Sequence, residues 1–137
     1  MSGVCFFDTN VLVYIHDATA PDKQNTAEAL FRTHFYNRTL AISTQVLQEF
    51  YVTVSRKISP DAAALLTGEY ADLNPITIQP ADILEAIRLQ KRWKIAFWDA
   101  LILASAKAAG AEVLYTEDFS SGQHYDGINA QNPFAVH

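Results

Sequence analysis

The chain contains very little cysteine, glycine or proline. Of its 137 residues, one is Cys, five are Gly and five are Pro. The single cysteine, Cys5, cannot form an internal disulfide, and no group of His and Cys residues has the spacing of a zinc finger. These shortages exclude a disulfide scaffold, a structural zinc site, and a collagen-like or low-complexity chain.

Long apolar segments and an excess of positive charge are also missing. No run approaches the ~20 apolar residues of a membrane span, and the sequence does not begin with a signal-peptide pattern. We therefore expect no membrane association and a cytoplasmic location. Ten Lys and Arg against fifteen Asp and Glu give a net charge of −5. This balance argues against holding nucleic acid by bulk positive charge, but not against an enzyme that acts on it.

The sequence is rich in apolar residues, which make up 50% of the chain against 18% charged residues. Its length predicts a single domain, residues 1–137, with a self-sufficient core. Short apolar runs at Val4–Phe7, Leu40–Ile42, Ile76–Ile78 and Val113–Tyr115 alternate with helical patterns. This order predicts an α/β fold, a three-layer sandwich in which a short parallel sheet is covered by helices.

Polar residues and glycine mark the helix boundaries. We predict that Asp22, Ser43 and Ser59 cap the starts of successive helices, with Thr44 as an alternative to Ser43. Gly110 follows the clearest helical pattern and is expected to end it in the left-handed conformation. The polar stretch from Thr116 to Gly127 is interpreted as a loop.

Two aspartates follow predicted strands. Asp8 comes directly after the first strand, and Asp118 lies three residues beyond Tyr115. In open parallel sheets ligands bind beyond the carboxyl ends of the strands, so both aspartates are expected at the same edge. For either residue alone, a turn position or a helix cap is the alternative.

Asp99 lies in line with the apolar face of its helix. Ile102, Leu103 and Ala106 follow it at helical spacing. A carboxylate on the buried side of a helix costs several kcal/mol unless it is paired or bound to a metal. The alternative is a buried salt bridge at the start of the helix.

Glu49 lies on the helix that follows the second strand, at the margin of an apolar stripe. Taken alone, it is interpreted as a solvated glutamate. Together with Asp8, Asp99 and Asp118, however, it forms a set of four carboxylates expected to converge. Such a set repels itself strongly, and the usual resolution is Mg²⁺ or Mn²⁺ held by oxygen ligands and water.

Around these carboxylates, four short strings resemble the motifs of PIN-domain nucleases in order and spacing. The strings are Phe7–Val11, Ser43–Phe50, Phe97–Ile102 and Tyr115–Phe119. The resemblance spans nearly the whole chain, including Gly122-Gln123 and Asn132–Phe134 in the tail. The small single-domain form is similar to the VapC type, the ribonuclease toxins of bacterial and archaeal toxin–antitoxin pairs.

The resemblance implies a role for each matched residue. Asp8, Glu49, Asp99 and Asp118 would form the catalytic quartet, and Asn10 and Thr116 would support it. Asp8, Asp99 and Asp118 would bind one or two Mg²⁺ or Mn²⁺ ions directly, with Glu49 as a further ligand or as the base. The implied activity is metal-assisted hydrolysis of RNA phosphodiester bonds. The implied partners are an RNA substrate, a second copy in a homodimer, and an antitoxin that places an Arg or Lys among the carboxylates.

Some alternatives remain open at this point. Glu117 adjoins Asp118, and either carboxylate could turn inward, although the motif position favours Asp118. A catalytically silent PIN-like module that binds RNA or protein is the main competing function. An aspartyl-phosphate phosphatase is disfavoured because Asn10 stands where that chemistry needs an acid. The basic segment Arg88–Lys94, next to Trp93 and Trp98, is a candidate RNA contact; the alternative is cations at a helix C-terminus with aromatics in the core or at an interface.

Overall fold

Strands and helices alternate along residues 3–135, the part of the chain that the computed structural model describes. The elements in these residues are β1 (Cys5–Phe7), α1 (Thr9–Ile15), α2 (Pro21–Tyr36), β2 (Leu40–Ala41), α3 (Thr44–Lys57), α4 (Pro60–Ala71), α5 (Pro80–Trp93), α6 (Phe97–Ala108), β3 (Val113–Tyr115), β4 (His124–Tyr125) and β5 (Ile128–Gln131). None of the helices described is long and apolar enough to cross a membrane.

The strands form one sheet in the order β2-β1-β3-β5-β4. β1 pairs in parallel with β2 and β3, and β3 pairs in parallel with β5. Phe7 at the end of β1 lies opposite Tyr115 at the end of β3. The residues that follow these two strands therefore emerge side by side at the carboxyl edge of the sheet, where ligands bind in folds of this kind.

Helices cover both faces of the sheet. Phe6 and Phe7 are neighbours in β1, so their side chains point to opposite faces. Both are 0% exposed. A strand that is buried on both faces requires a layer on each side of the sheet, which confirms the predicted three-layer sandwich.

Most predicted helix boundaries are confirmed. The Ser43 and Ser59 hydroxyls accept backbone hydrogen bonds of 3.4 and 3.1 Å in the first turns of α3 and α4. Gly110 follows α6 with a φ of +69°. The prediction for Asp22 is wrong, because α2 starts after Ala20 without a side-chain cap and Asp22 lies in its first turn. Its negative charge still suits the helix dipole at that end.

The segment from Thr116 to Gly127 is not entirely loop, because it contains β4. This strand runs antiparallel to β5, so the parallel sheet expected from the sequence is mixed at one edge. Asp126 and Gly127 connect the two strands, and both have positive φ, 51° and 88°. Positive φ at both central residues is the geometry of a two-residue type I′ hairpin.

The predicted strand Ile76–Ile78 is wrong. Within the described chain, Ile76 forms a single parallel bridge with Ser43 and no ladder follows it. The Ile76 N–H donates to the Ile42 carbonyl and the Thr44 N–H donates to the Ile76 carbonyl, both at 2.9 Å. These two hydrogen bonds lie at the junction between β2 and α3. The chain enters α3 at Thr44, so the pairing with Ile76 does not extend into a longer strand.

Candidate active site

A cleft of about 590 Å³ opens at the carboxyl edge of the sheet. All four carboxylates singled out in the sequence line it. Asp8 follows β1, Glu49 comes from α3, Asp99 from α6, and Asp118 follows β3. The fold thus brings together side chains from both ends of the chain and from two helices between them.

Asp8 is the most buried of the four, with 3% of its surface exposed. One carboxylate oxygen accepts a 2.7 Å hydrogen bond from the Thr9 N–H, so Asp8 is also the N-cap of α1. The other oxygen accepts one of 2.7 Å from the Thr116 hydroxyl. Burial raises the pKa of Asp8 to about 7; repulsion by Asp118 and Glu49 adds to this effect, and the two hydrogen bonds oppose it.

Asp118 is connected to Asp8 through Thr116. The Thr116 side chain is fully enclosed, and its hydroxyl oxygen accepts a 3.1 Å hydrogen bond from the Asp118 N–H while donating to Asp8. The Asn10 amide donates to Asp118 Oδ2 at 3.0 Å. Asn10 and Thr116 therefore contact the two aspartates that end the neighbouring strands.

Glu117 turns away from the other carboxylates. It accepts a 2.8 Å hydrogen bond from the Tyr14 hydroxyl and forms a 3.1 Å ion pair with Lys23. Lys23 neutralises Glu117 at the rim of the cleft, whereas Asp118 has no ion pair within residues 3–135 and keeps its negative charge there.

Glu49 is half-buried and held at both oxygens, so it is not the solvated glutamate of the alternative interpretation. The Thr9 hydroxyl donates to Oε1 at 2.7 Å, and the Gln45 amide donates to Oε2 at 3.2 Å. Gln45 is only 3% exposed, and its amide also donates to the Trp98 carbonyl at 3.1 Å. Gln45 thus ties Glu49 to the start of α6, next to Asp99.

Sequence analysis missed Thr9 and Gln45. Gln45 precedes Glu49 by one helical turn, and this spacing is a signal that could have identified it. Thr9 is 40 positions from its partner, so its contact depends on how α1 packs against α3. Nothing in the local sequence indicates that contact.

Asp99 lies in the first turn of α6. Within residues 3–135 its carboxylate has no hydrogen bond and no ion pair, so the buried salt bridge considered from the sequence is wrong. Burial raises the pKa of Asp99, and the negative charges of Asp118 and Glu49 raise it further. The partial positive charge at the N-terminus of α6 favours the ionised form of this carboxylate.

The cleft offers oxygen donors of the kind that hard divalent cations bind. Among the described residues, no three Asp, Glu, His or Cys side chains are arranged to hold a metal ion by themselves. Mg²⁺, however, usually takes one or two protein carboxylates and completes its shell with water and substrate phosphate. In addition, Asn10 Oδ1 is buried with no hydrogen-bond partner in residues 3–135. The residues present therefore fit a cation whose shell is completed by water and a phosphate oxygen.

Two arginines of the basic segment at the end of α5 form ion pairs outside the cleft. Arg88 and Arg92 form ion pairs with Asp126 at 2.7 and 3.2 Å, and the Trp93 indole donates to the same carboxylate at 3.0 Å. Neither arginine lines the cleft, and nor does Trp93. Burial opposes ionisation of Asp126, but its hydrogen bonds, from Arg88 first, lower its pKa overall. Trp98, by contrast, does line the cleft.

The fold and the site together define a class of α/β proteins that carry a carboxylate-lined cleft at the edge of a largely parallel sheet. Comparison with known families is more specific, since the sequence profile of the PIN domain matches residues 5–120. The chain belongs to the PIN domain family. A search of curated protein sequences found no significant match.

Several solved structures share the fold. VapC20 of Mycobacterium tuberculosis, described as a sarcin-ricin loop cleaving toxin, is 18% identical over 83% of this chain and 89% of its own, with a TM-score of 0.70. A chain of a toxin–antitoxin complex from Klebsiella pneumoniae is 20% identical over 96% and 99%, with a TM-score of 0.70. A chain of VapBC2 from Rickettsia felis, bound to a promoter DNA fragment, is 23% identical over 94% and 98%, with a TM-score of 0.68.

Proposed function

We propose that this chain, as one PIN domain, is a divalent-metal-dependent endoribonuclease and the toxin of a type II toxin–antitoxin pair. The observation that carries the proposal is the convergence of four carboxylates in one cleft of about 590 Å³. No described cation pairs with Asp99, and Asp8 is buried with a pKa raised to about 7. A site that concentrates negative charge in this way suits a bound cation and a phosphate ester substrate.

The ligand roles are assigned to the three aspartates, each of which keeps lone pairs on its carboxylate oxygens that a cation can use. We assign Asp8, Asp99 and Asp118 as direct ligands of one or two Mg²⁺ or Mn²⁺ ions, whose shells would be completed by water and phosphate oxygens. Asp99 accepts no hydrogen bond within residues 3–135, so both of its oxygens are available. A bound divalent cation would supply positive charge that neutralises the attacked phosphate and makes a water molecule more acidic.

Glu49 is held in a fixed orientation in which its carboxylate can accept a proton. Each of its oxygens already accepts one hydrogen bond, from Thr9 and from Gln45. These bonds fix the orientation of the carboxylate while leaving a lone pair on each oxygen. We therefore assign Glu49 as the base that takes the proton from the attacking water, and Thr9 and Gln45 as the residues that position it.

Thr116 and Asn10 hold the two strand-end aspartates in place. The Thr116 hydroxyl links the Asp8 side chain to the Asp118 backbone, and Asn10 donates to the Asp118 side chain. Neutral donors of this kind orient carboxylates without cancelling their charge. Their role is to keep the ligands in place when no cation is bound, against the mutual repulsion of the carboxylates.

The proposed partners are an antitoxin and a second copy of the chain. The similar chains from Klebsiella pneumoniae and Rickettsia felis come from toxin–antitoxin assemblies, which supports an antitoxin here. An Arg or Lys of that antitoxin, placed among the carboxylates, would satisfy the charge that Asp99 and Asp118 leave open. We also propose a homodimer, to be checked by ultracentrifugation in the micromolar range; a strictly monomeric mass would contradict it.

Cleavage of labelled structured RNAs in Mg²⁺, Mn²⁺ or EDTA tests the activity. We expect cleavage in at least one of the metals and none in EDTA. Asp99→Asn should lower the rate at least ~100-fold, as expected for a charge lost at a metal centre. Asp72→Asn is the matched control, because Asp72 is exposed at the end of α4 and lies outside the cleft. RNA binding without cleavage in any metal would instead favour the catalytically silent module.

A further inference from the structure

Two side chains that line the cleft have no part in the proposed chemistry. Trp98 directly precedes Asp99 and is 63% exposed. Arg56 lies in the last turn of α3 and lines the same cleft. An exposed tryptophan and an arginine that has no ion pair within residues 3–135 both lie beside an acidic centre, and their presence there needs an explanation.

The Trp98 ring is presented to solvent from a fixed backbone. In the described part of the chain, its one aromatic contact is with its neighbour Phe97, edge to face at a centroid distance of 5.1 Å. The Trp98 carbonyl accepts a hydrogen bond from Gln45, which anchors this turn of α6 to α3. The exposed ring of Trp98 therefore lies at a defined position beside the carboxylates.

The other tryptophan shows how this fold satisfies an indole that it uses internally. The Trp93 N–H donates to Asp126, and its ring packs against Tyr125 at a centroid distance of 5.1 Å. Within residues 3–135, the Trp98 N–H has no hydrogen bond and its ring packs only on the ring of its chain neighbour, Phe97. The two tryptophans therefore differ, and the solvent exposure of Trp98 is not a general property of tryptophans in this fold.

Arg56 differs from the basic residue that follows it. Lys57 also lines the cleft, but it forms an ion pair with Asp17 at 3.5 Å. Arg56 has no ion pair and no hydrogen bond from its side chain within residues 3–135. Its guanidinium is free to contact a phosphate, for which its planar set of donors is well suited.

We propose that Trp98 and Arg56 form a nucleotide subsite in which Trp98 stacks on a base of single-stranded RNA and Arg56 contacts a flanking phosphate. The inference rests on the proposed function and adds which residues bind the RNA substrate beside the carboxylates. Trp98 is adjacent to Asp99, so a nucleotide whose phosphate lies at the carboxylates has its base within reach of the ring. Stacking on a π face tolerates every base, and it needs an unstacked, single-stranded segment.

Intrinsic fluorescence tests the stacking directly, because the chain has only two tryptophans. The probe is a mixed-sequence single-stranded RNA dodecamer, titrated in Ca²⁺ and checked on gels to remain intact. We expect RNA to quench the emission of the wild-type protein. The emission of Trp98→Phe, which retains only Trp93, should not change when RNA is added. An abasic ribose-phosphate oligomer of the same length should produce little quenching.

Affinity measurements separate the two residues. Trp98→Ala should bind the RNA about tenfold more weakly and bind the abasic oligomer as the wild type does. Tyr36→Ala is the control, since Tyr36 is an exposed aromatic outside the cleft. Arg56→Gln should weaken both oligomers equally and reduce the salt dependence by about one counterion, whereas Lys91→Gln should change neither.

The outcomes distinguish this subsite from the activity. Quenching of Trp98 by RNA, in a protein that cleaves no RNA in any metal, would support the subsite and contradict the nuclease. Metal-dependent cleavage with equal RNA affinity in Trp98→Ala and wild type would overturn the subsite alone. Emission that responds to protein concentration but not to RNA would overturn it too, and would identify the Trp98 face as a protein interface.

Discussion

Replacing Asp8 by Asn should make the metal-free protein more stable at neutral and higher pH. Burial raises the pKa of Asp8 from its ordinary value of 3.8 to about 7. A tenfold change in an acid dissociation constant corresponds to about 1.4 kcal/mol, so the ionised carboxylate opposes folding by about 4 kcal/mol at pH 8. Asn has nearly the same shape and no charge, and its substitution removes this cost.

The pH dependence has a defined sign. Folded Asp8 takes up a proton below about pH 7, whereas in the unfolded chain it does so only near its ordinary value of 3.8. The folded state therefore binds more protons in this window, and the stability of the wild type falls as pH rises through it. The advantage of Asp8→Asn should be largest at pH 8 and should vanish toward pH 4.

Hydrogen bonding reduces the gain but does not reverse it. The Asn carbonyl can accept from the Thr9 N–H, as Asp8 does. The Asn amide would have to donate to the Thr116 hydroxyl, which now donates to Asp8, so that hydroxyl must find another acceptor. A lost hydrogen bond costs about 1 kcal/mol. A net gain of about 3 kcal/mol at pH 8 is therefore expected.

Urea unfolding in EDTA at pH 5, 6.5 and 8 measures the effect, with Asp72→Asn as the control. Added Mg²⁺ should stabilise the wild type and should stabilise Asp8→Asn much less, because the cation loses a ligand. A variant that is less stable than the wild type at pH 8, or whose difference from it does not change with pH, would show that ionised Asp8 does not oppose folding.

Two further substitutions test the residues around the cleft and the ion-pair network. Gln45→Leu should lower kcat about tenfold or more with little change in KM, because Glu49 loses a positioning hydrogen bond. Gln90→Leu on α5 is the control. An unchanged kcat in Gln45→Leu would show that Gln45 does not position Glu49. Asp126→Asn should lower the free energy of unfolding by about 2 kcal/mol at pH 7, since charged hydrogen bonds to two arginines are lost. The pKa of Asp126 is lowered in the fold, so its contribution is present above the unfolded value near 4 and lost as pH falls; an equal loss at pH 3, measured by urea unfolding, would contradict this account.

The sequence predicted the central strands and most helices because their signals are local. β1 and β3 are continuous apolar runs, and Ser43 and Ser59 are strong capping residues at the starts of α3 and α4. The sequence did not predict the hairpin of β4 and β5 because its strands are short and partly polar. Its turn, Asp126-Gly127, did carry a recognised hairpin signal, but no long apolar runs flank it.

The charged residues of the candidate site were predictable from the sequence. The residues that position them by hydrogen bonds were less predictable. The carboxylates Asp8 and Asp118 follow strands, and Asp99 interrupts an apolar helix face; these are patterns a sequence can show. The hydrogen bond of Thr9 to Glu49 arises from the packing of α1 on α3, and the pairing of Arg88 with Asp126 depends on how α5 meets the hairpin. Such contacts depend on tertiary geometry that local patterns do not encode.

We expect the carboxylates to act as one metal-dependent centre, and a double-mutant cycle on RNA cleavage measures whether they do. Single-turnover rates would be measured in Mg²⁺ and in EDTA for wild type, Asp99→Asn, Asp118→Asn and the double variant. Residues that serve one centre are not additive, so each single change should lower the rate at least ~100-fold and the double change little further. Effects that multiply, a single variant with the wild-type rate, or cleavage that persists in EDTA would contradict a single metal-dependent centre.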